Sequence, residues 1–323
     1  MARNALIYLP YPDEYLDRIA KSLECNGLNP IRVCMDDQEK AREMLMSSEI
    51  VLLGKELPQD ELEASPAKWI HFDWVGIEKN LNEGLFRDRI ITNGSGRNSI
   101  CLAEHALFFM LSLSYGIRDI LEEQEARRWM IKDSFSYRTL CGKTALILGI
   151  GSIGKEIARQ AKALGMKTIG FSRSIKPCIP YIDKQIDRDL DNAIMEADFV
   201  IDCLPLNNST VHFIDIDFFS KMKKTAFFIN ISRGGTVDES ALEWALGNNV
   251  IAGAASDVFE KEPLSRESVL WGMPNMIITP HRSPQSPMKF DIGTDTIIEN
   301  IGLFCKGARL RNQQTLSDIY SLN

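Results

Sequence analysis

The chain has 323 residues, 45% hydrophobic and 25% charged, which is the composition of a soluble globular protein with length for two ordinary domains and a sizeable core. Its net charge of −7 and pI near 5.3 argue against the concentrated basic surface of a general nucleic-acid or membrane-surface binder, so small anions must be met by local positive charge. Seven scattered cysteines, with no CxxC pair and no clustered histidine, suggest neither a disulfide framework nor a metal site, and are expected as buried free thiols of a reducing cytosol.

The amino terminus has too short an apolar stretch for a secretory signal, and no segment approaches the run of about 18 apolar residues that a membrane helix needs. The chain is therefore read as cytoplasmic. Short apolar runs then alternate with amphipathic stretches, at 5–9, 14–23, 30–34, 38–46 and 50–53, a rhythm that predicts a parallel α/β sheet. Further strands are expected at 69–72 and 90–92, ending in the turn-prone Val75-Gly76 and Asn93-Gly94-Ser95-Gly96, which are candidates for ligand contact.

From about 100 to 128 the pattern reads as one long helix, with Leu102, Ala106, Phe109, Met110 and Leu113 at helical spacing and a charged end. A second α/β series begins at Lys143, with strands expected at 145–148, 168–171, 199–203, 226–231, 251–255 and 276–279. Residues 288–305 are again helical, and too little chain follows to form a third domain. The expected organisation is one α/β domain over 100–283 inserted into another made of 1–99 and 284–323, with a ligand cleft between them.

The run Ala145-Leu146-Ile147-Leu148-Gly149-Ile150-Gly151-Ser152-Ile153-Gly154 sets GxGxxG between a buried strand and a helix, the context that turns a weak pattern into a dinucleotide signature. Gly149 serves the tight turn, Gly151 the close approach of backbone to pyrophosphate, and Gly154 the helix packing, while Ser152 and Ile153 open the helix whose N–H groups face the phosphates. The inserted domain is thus expected to be a Rossmann domain. At the end of the next strand, where an acidic residue commonly bonds the ribose hydroxyl, stand Ser172-Arg173-Ser174. A guanidinium between two hydroxyls suits a 2′-phosphate, so NADP(H) is favoured; a solvated or adenine-stacking Arg173 with NAD(H) is the alternative.

Three further motifs each follow an expected strand: Asn230-Ile231-Ser232-Arg233-Gly234-Gly235, Asp257 through Leu264 with Glu260 and Glu262, and Thr279-Pro280-His281. Loops at the carboxyl ends of parallel strands converge, so the three can meet at one crevice. With Ala103-Glu104-His105-Ala106, Leu204-Pro205-Leu206 and Thr210, and Gly234-Gly235-Thr236-Val237-Asp238, they make nearly the whole chain resemble the D-isomer-specific 2-hydroxyacid dehydrogenases, of the glyoxylate/hydroxypyruvate reductase kind.

The resemblance implies a Rossmann domain inserted into a flavodoxin-like substrate domain. It implies that Arg233 holds the substrate carboxylate and oxo group, that His281 exchanges the proton, and that Glu262 pairs with His281, with Glu260 the less favoured acid. It also implies that Asp257 and the Ile231 carbonyl bond the nicotinamide carboxamide, that Leu204, Pro205, Thr210, Ser232 and Ser283 line the cofactor, and that backbone N–H groups near Val75 and Gly76 meet the substrate carboxylate. The chemistry asks for the same types: hydride addition to a ketone builds charge on oxygen, which a fixed cation stabilises and an imidazolium neutralises.

Outside these motifs, His71, His105 and His212 are read as structural. Trp129 and the stretch 134–137 are candidates for covering the cofactor or for a homodimer contact, the latter implied by the resemblance. Arg282 departs from the family pattern and leaves room for a second anionic group on the substrate. The regulatory domain of some phosphoglycerate dehydrogenases is not expected after Asn323. Rival readings are a D-lactate- or phosphoglycerate-type dehydrogenase and, from a different class, a dinucleotide-sensing corepressor.

Overall fold

The computed structural model describes residues 3–75, 77, 82–129, 139–175 and 178–315. Gly76 and residues 134–137 lie outside them. The chain divides into two compact units, 1–98 with 287–323, and 99–286.

The first unit is built on five parallel strands, β1 (Asn4–Tyr8), β2 (Asn29–Arg32), β3 (Ser48–Leu53), β4 (Trp69–Phe72) and β5 (Ile90–Asn93), in the order β2-β1-β3-β4-β5. This is the flavodoxin-like order. Because helices cover both faces of such a sheet, its inner strands read as continuous apolar runs, and alternate residues feed opposite cores. Leu6, Val51, Leu53 and Ile70 enter one core, and Ala5, Ile7, Ile50, Leu52 and Trp69 the other. Helix α1 (Asp13–Cys25) opens with two acidic residues, favourable at a helix amino terminus, and buries Ile19, Ala20 and Leu23. Helix α2 (Gln38–Leu45) is capped by Asp37, whose side chain accepts from Lys40 N–H; α3 (Gln59–Ala64) is a short turn of helix absent from the sequence reading. The carboxy-terminal helix, Met288–Cys305, returns to this unit and packs on α1, burying Ile297 and Ile301 and pairing Asp295 with Arg18.

The second unit starts with the expected long helix, but as two. Helix α4 (Ser99–Tyr115) and α5 (Ile117–Glu125) meet at a 66° bend. Gly116 takes a left-handed φ of 61° there, the usual helix stop, and Arg118 then anchors α5 by donating to the Met273 and Met276 carbonyls. The helical spacing of apolar residues carried no sign of this break. On α4, Leu102, Ala106, Phe109 and Met110 are buried in the unit's core, whereas Phe108, Leu111 and Tyr115 are exposed.

Seven strands follow: β6 (Thr144–Leu148), β7 (Lys167–Phe171), β8 (Lys184–Ile186), β9 (Phe199–Asp202), β10 (Phe227–Asn230), β11 (Gly253–Ser256) and β12 (Met276–Ile278). They pair in parallel in the order β12-β11-β10-β9-β6-β7-β8, with helices α6 (Ser152–Ala163), α7 (Leu190–Glu196), α8 (Ile216–Lys221) and α9 (Glu239–Gly247) in the crossovers. The order reverses at β6, with β7 on one side and β9 on the other. That is the switch point at which an open α/β sheet binds its ligand. The edge strand β8 was not expected, since its three residues are mostly polar.

The cysteines correct the sequence expectation. All seven are free, but Cys25, Cys34, Cys141 and Cys178 are exposed and the other three are partly covered, because most sit on helix ends and loops rather than on the apolar strands.

Gly293 shows how tightly the carboxy-terminal helix is seated. A Cβ there would lie 2.1 Å from the Tyr11 hydroxyl, which is itself fixed by donating to Asp73 Oδ1 at 2.7 Å in a buried setting. Gly293→Ala should therefore lower stability by about 1–3 kcal/mol, the usual cost of overpacking. Urea unfolding checks this, and an unchanged midpoint would mean that the helix shifts freely.

Candidate active site

The Gly149–Gly154 turn joins β6 to α6, and each glycine has a different reason to be one. Gly149 has φ 93°, and a Cβ there would meet the Cys203 carbonyl oxygen at 2.7 Å. A Cβ on Gly154 would fall 2.1 Å from the Gly149 carbonyl oxygen, so helix and turn could not approach as they do. Gly151 is different: nothing lies within 4 Å of the position its Cβ would take. That open space sits at the start of α6, where no side chain caps the first N–H groups and where Ser152 is exposed. An uncapped helix start with room for backbone approach fits a pyrophosphate.

Ser172, Arg173 and Ser174 follow β7, and Arg173 and Ser174 are exposed. The loop is held in shape by Gln185 of β8, whose Nε2 donates to Ser172 Oγ at 2.9 Å and to the Ser174 carbonyl at 3.2 Å, while Ser172 Oγ donates to that same carbonyl. Gln185 escaped the sequence reading because its strand did.

On the other side of the switch point, Leu204 is buried and Pro205 exposed at the end of β9. Thr210 does not turn its hydroxyl outward. It donates to the Pro205 carbonyl at 2.6 Å and accepts from Asn207 N–H at 2.8 Å, so it shapes the turn rather than offering a donor to a ligand. Ser232 likewise points inward, its hydroxyl donating to Asp202 Oδ2 at 2.7 Å. In both cases the hydroxyl has an internal acceptor within reach. Ile231 is buried beside Ser232 after β10.

Arg233 stands next in extended backbone, partly exposed, with Nη1 donating to the Ser232 carbonyl at 2.8 Å. The following glycine is obligatory: a Cβ on Gly234 would lie 1.8 Å from the Phe259 carbonyl carbon. The Arg233 loop is thereby pressed against the backbone of the loop that carries Glu262. Glu262 Oε1 accepts from Phe259 N–H at 3.1 Å, and Oε2 is 2.7 Å from His281 Nδ1. With Nδ1 engaged, Nε2 is the ring nitrogen left for proton exchange. Glu260 faces elsewhere, 2.8 Å from His212 Nε2, so the acid that pairs with His281 is Glu262.

His281 has φ 47°, a left-handed conformation uncommon for a residue with a side chain. Asp257 holds it there. The Asp257 carbonyl accepts from His281 N–H at 2.8 Å, Oδ1 accepts from Arg282 N–H at 3.0 Å and the Thr279 hydroxyl at 2.5 Å, and Oδ2 accepts from Ser283 N–H at 3.0 Å. The carboxylate is buried and engaged by protein donors, and so fixes the histidine loop. His105 extends this chain from α4. Its Nε2 is 2.9 Å from Thr279 Oγ1, whose hydrogen goes to Asp257, so the ring donates; burial lowers its pKa and keeps it neutral. The reading of His105 as structural is thereby given content.

In the first unit, Val75 follows β4, and its carbonyl accepts from Asn93 Nδ2 at 3.2 Å and Ile77 N–H at 3.1 Å. Gly76 is outside the described residues. The sequence reading also missed Asp202, a carboxylate at the end of the apolar strand Phe199-Val200-Ile201-Asp202. An acidic residue closing such a run was the available signal.

A dinucleotide turn at the switch point, with a fixed cation and a histidine–carboxylate pair on neighbouring loops of the same sheet edge, defines a nicotinamide-binding domain equipped for proton transfer. A family model described as D-isomer specific 2-hydroxyacid dehydrogenase, NAD binding domain, matches residues 107–283. The curated D-3-phosphoglycerate dehydrogenase of Archaeoglobus fulgidus is 30% identical over 98% of this chain, and the glyoxylate reductase of Pyrococcus furiosus 29% identical over 90% of this chain and 92% of its own length. The chain spans 60% of the A. fulgidus protein and 38% of a chloroplastic D-3-phosphoglycerate dehydrogenase of Arabidopsis thaliana. Among solved structures, a D-isomer specific 2-hydroxyacid dehydrogenase family protein from Aeromonas salmonicida superposes with a TM-score of 0.82 at 29% identity, covering 98% of this chain and 99% of that one. An NADPH-dependent glyoxylate/hydroxypyruvate reductase from Sinorhizobium meliloti, in complex with NADP and sulfate, gives 0.80 at 25% identity over 98% and 100%. This chain belongs to the D-isomer specific 2-hydroxyacid dehydrogenase family.

The helix start at Gly151 gives a direct test of where the phosphates lie. Gly151→Asp places a carboxylate in the open space and should weaken NADPH binding about tenfold, as expected for one repelling charge costing ~1–2 kcal/mol near the phosphates. Fluorescence titration reads this. Unchanged affinity, in a variant with unchanged unfolding, would move the phosphates off α6.

Proposed function

We propose that this protein reduces small 2-oxo acids to D-2-hydroxy acids with NAD(P)H, with glyoxylate- and hydroxypyruvate-type substrates first. The observation that carries the reading is the Glu262–His281 pair at 2.7 Å on the loop against which the Arg233 loop is pressed. When bound, the nicotinamide supplies the hydride. Arg233 would hold the substrate carboxylate and stabilise charge building on the oxo oxygen, and His281 Nε2 would deliver the proton to that oxygen. Glu262, bonded at Nδ1, would fix the ring and compensate the imidazolium charge. Val75 and Gly76 would add backbone N–H groups to the carboxylate, and Asp257 with the Ile231 carbonyl would face the carboxamide.

The glyoxylate reductase of P. furiosus, which this chain matches nearly end to end, favours the reductase reading. A phosphoglycerate-type substrate is the second reading, supported by the A. fulgidus relative over 98% of this chain. NADPH is the proposed cofactor because Arg173 replaces the usual ribose-binding carboxylate, and because Gln185 orders the loop around it.

His281→Ala and Arg233→Ala should each lower kcat/KM for glyoxylate by about 10²–10⁴, the typical size of a lost proton-transfer or charge-stabilising group, with NADPH affinity kept. Near-native turnover in either variant would remove its residue from the chemistry. Arg173→Ala should raise the NADPH Kd about tenfold or more while leaving NADH unaffected, since a charge-assisted hydrogen bond is worth roughly 1.5–3 kcal/mol. Equal losses for both cofactors would sink the 2′-phosphate assignment.

A further inference from the structure

Asp202 closes β9 with its carboxyl group wholly enclosed. Oδ1 accepts from Leu204 N–H at 2.9 Å, and Oδ2 from the hydroxyls of Ser232 at 2.7 Å and Thr236 at 2.6 Å. Those two residues bracket Arg233. Each hydroxyl has one hydrogen and two acceptors besides the other hydroxyl, which lies 3.4 Å away. Thr236 Oγ1 is 2.6 Å from Asp202 Oδ2 and also 2.6 Å from the Arg233 carbonyl oxygen, while Ser232 Oγ has Asn230 Oδ1 at 3.2 Å as its alternative.

We propose that Asp202 is a positioning residue for Arg233, acting through Ser232 and Thr236, and that its protonation decides whether the Thr236 hydroxyl holds Asp202 or the Arg233 carbonyl. The inference rests on the reading of Arg233 as the group that binds the substrate carboxylate. With Asp202 ionised, Oδ2 draws both hydroxyl hydrogens, and the Arg233 carbonyl keeps Asn230 Nδ2 at 3.2 Å and Thr236 N–H at 3.3 Å. A proton on Oδ2 turns that oxygen into a donor toward one hydroxyl oxygen. The Thr236 hydrogen then swings to the Arg233 carbonyl, and that of Ser232 can serve Asn230 Oδ1. Both arrangements keep the network bonded, as a buried polar network must be, but only the second adds the short hydroxyl bond, a third, to the arginine's own peptide.

The surroundings leave this choice to Asp202 alone. Its register neighbours are Leu148 on β6 and Asn230 on β10, neither ionisable. Cys203 follows it in the chain, with its thiol pushed up by burial and by Asp202. Burial raises the Asp202 carboxyl to about 6, against the lowering effect of Thr236, Leu204 and Ser232, which places the change of state in a range a cell can reach.

Asp202→Asn fixes the group in a neutral, donating form, and Thr236→Val removes the hydroxyl while keeping the shape. The readout is the KM for glyoxylate at pH 5 and pH 8, each variant compared with wild type at the same pH so that pH effects shared by both cancel. Asp202→Asn should match wild type at pH 5 and bind substrate about three- to tenfold better at pH 8, the effect of one neutral hydrogen bond. Thr236→Val should raise KM at pH 5 by a similar factor, with kcat and NADPH affinity moved less than twofold, and Thr236→Ser should restore wild-type values. A variant-to-wild-type ratio independent of pH, or a Thr236→Val variant altered only in melting temperature, overturns the proposal. Absence of turnover in the wild type itself would instead overturn the enzyme reading on which it rests.

Discussion

The buried carboxylate of Asp257 is the constraint on which the His281–Glu262 edge of the second unit depends. A histidine with φ 47° is strained unless its surroundings hold it, and here one residue supplies the restraint through its carbonyl and both carboxylate oxygens. Backbone N–H groups at 281, 282 and 283 converge on Asp257, and the Thr279 hydroxyl completes the set. The strained turn aims the imidazole at Glu262. Without it, the same residues would sit on a loop with nothing to fix their separation.

A second restraint works by shape. Gly234 allows the loop after β10 to touch the Phe259–Glu260 backbone, so the arginine and the histidine–glutamate pair, distant in sequence, belong to one packed edge. Asp202 repeats the Asp257 device two strands away, with two hydroxyl donors and one backbone N–H. Two enclosed carboxyl groups thus organise the two loops that carry the proposed chemistry, one beneath His281 and one beneath Arg233. A buried acid with such a full set of donors is costly to misplace, which makes each a rigid reference point for its loop.

Much of this was legible in the chain. The carboxy-terminal helix has the bounds read from the sequence, and the strand–turn–helix at Gly149 follows from glycine spacing beside an apolar strand. The acid that pairs with His281 was the one expected. What sequence could not show was where hydroxyls point. Thr210 and Ser232 lie in the motifs that should line a cofactor, yet the Thr210 hydroxyl turns to the Pro205 carbonyl of its own turn and that of Ser232 to the buried Asp202. Gly116 broke a helix that apolar spacing drew as continuous, because a left-handed glycine leaves that spacing intact. The polar strand β8, and Gln185 with it, lacked the hydrophobic signal by which strands are found.

The most direct test is the initial rate of NADPH and NADH oxidation with glyoxylate, hydroxypyruvate, 3-phosphohydroxypyruvate and pyruvate, with the chirality of the product determined. The account predicts rapid oxidation with at least one of the first two, NADPH preferred, and D-glycerate formed from hydroxypyruvate. No oxidation of either cofactor with any 2-oxo acid, or an L product, would contradict it.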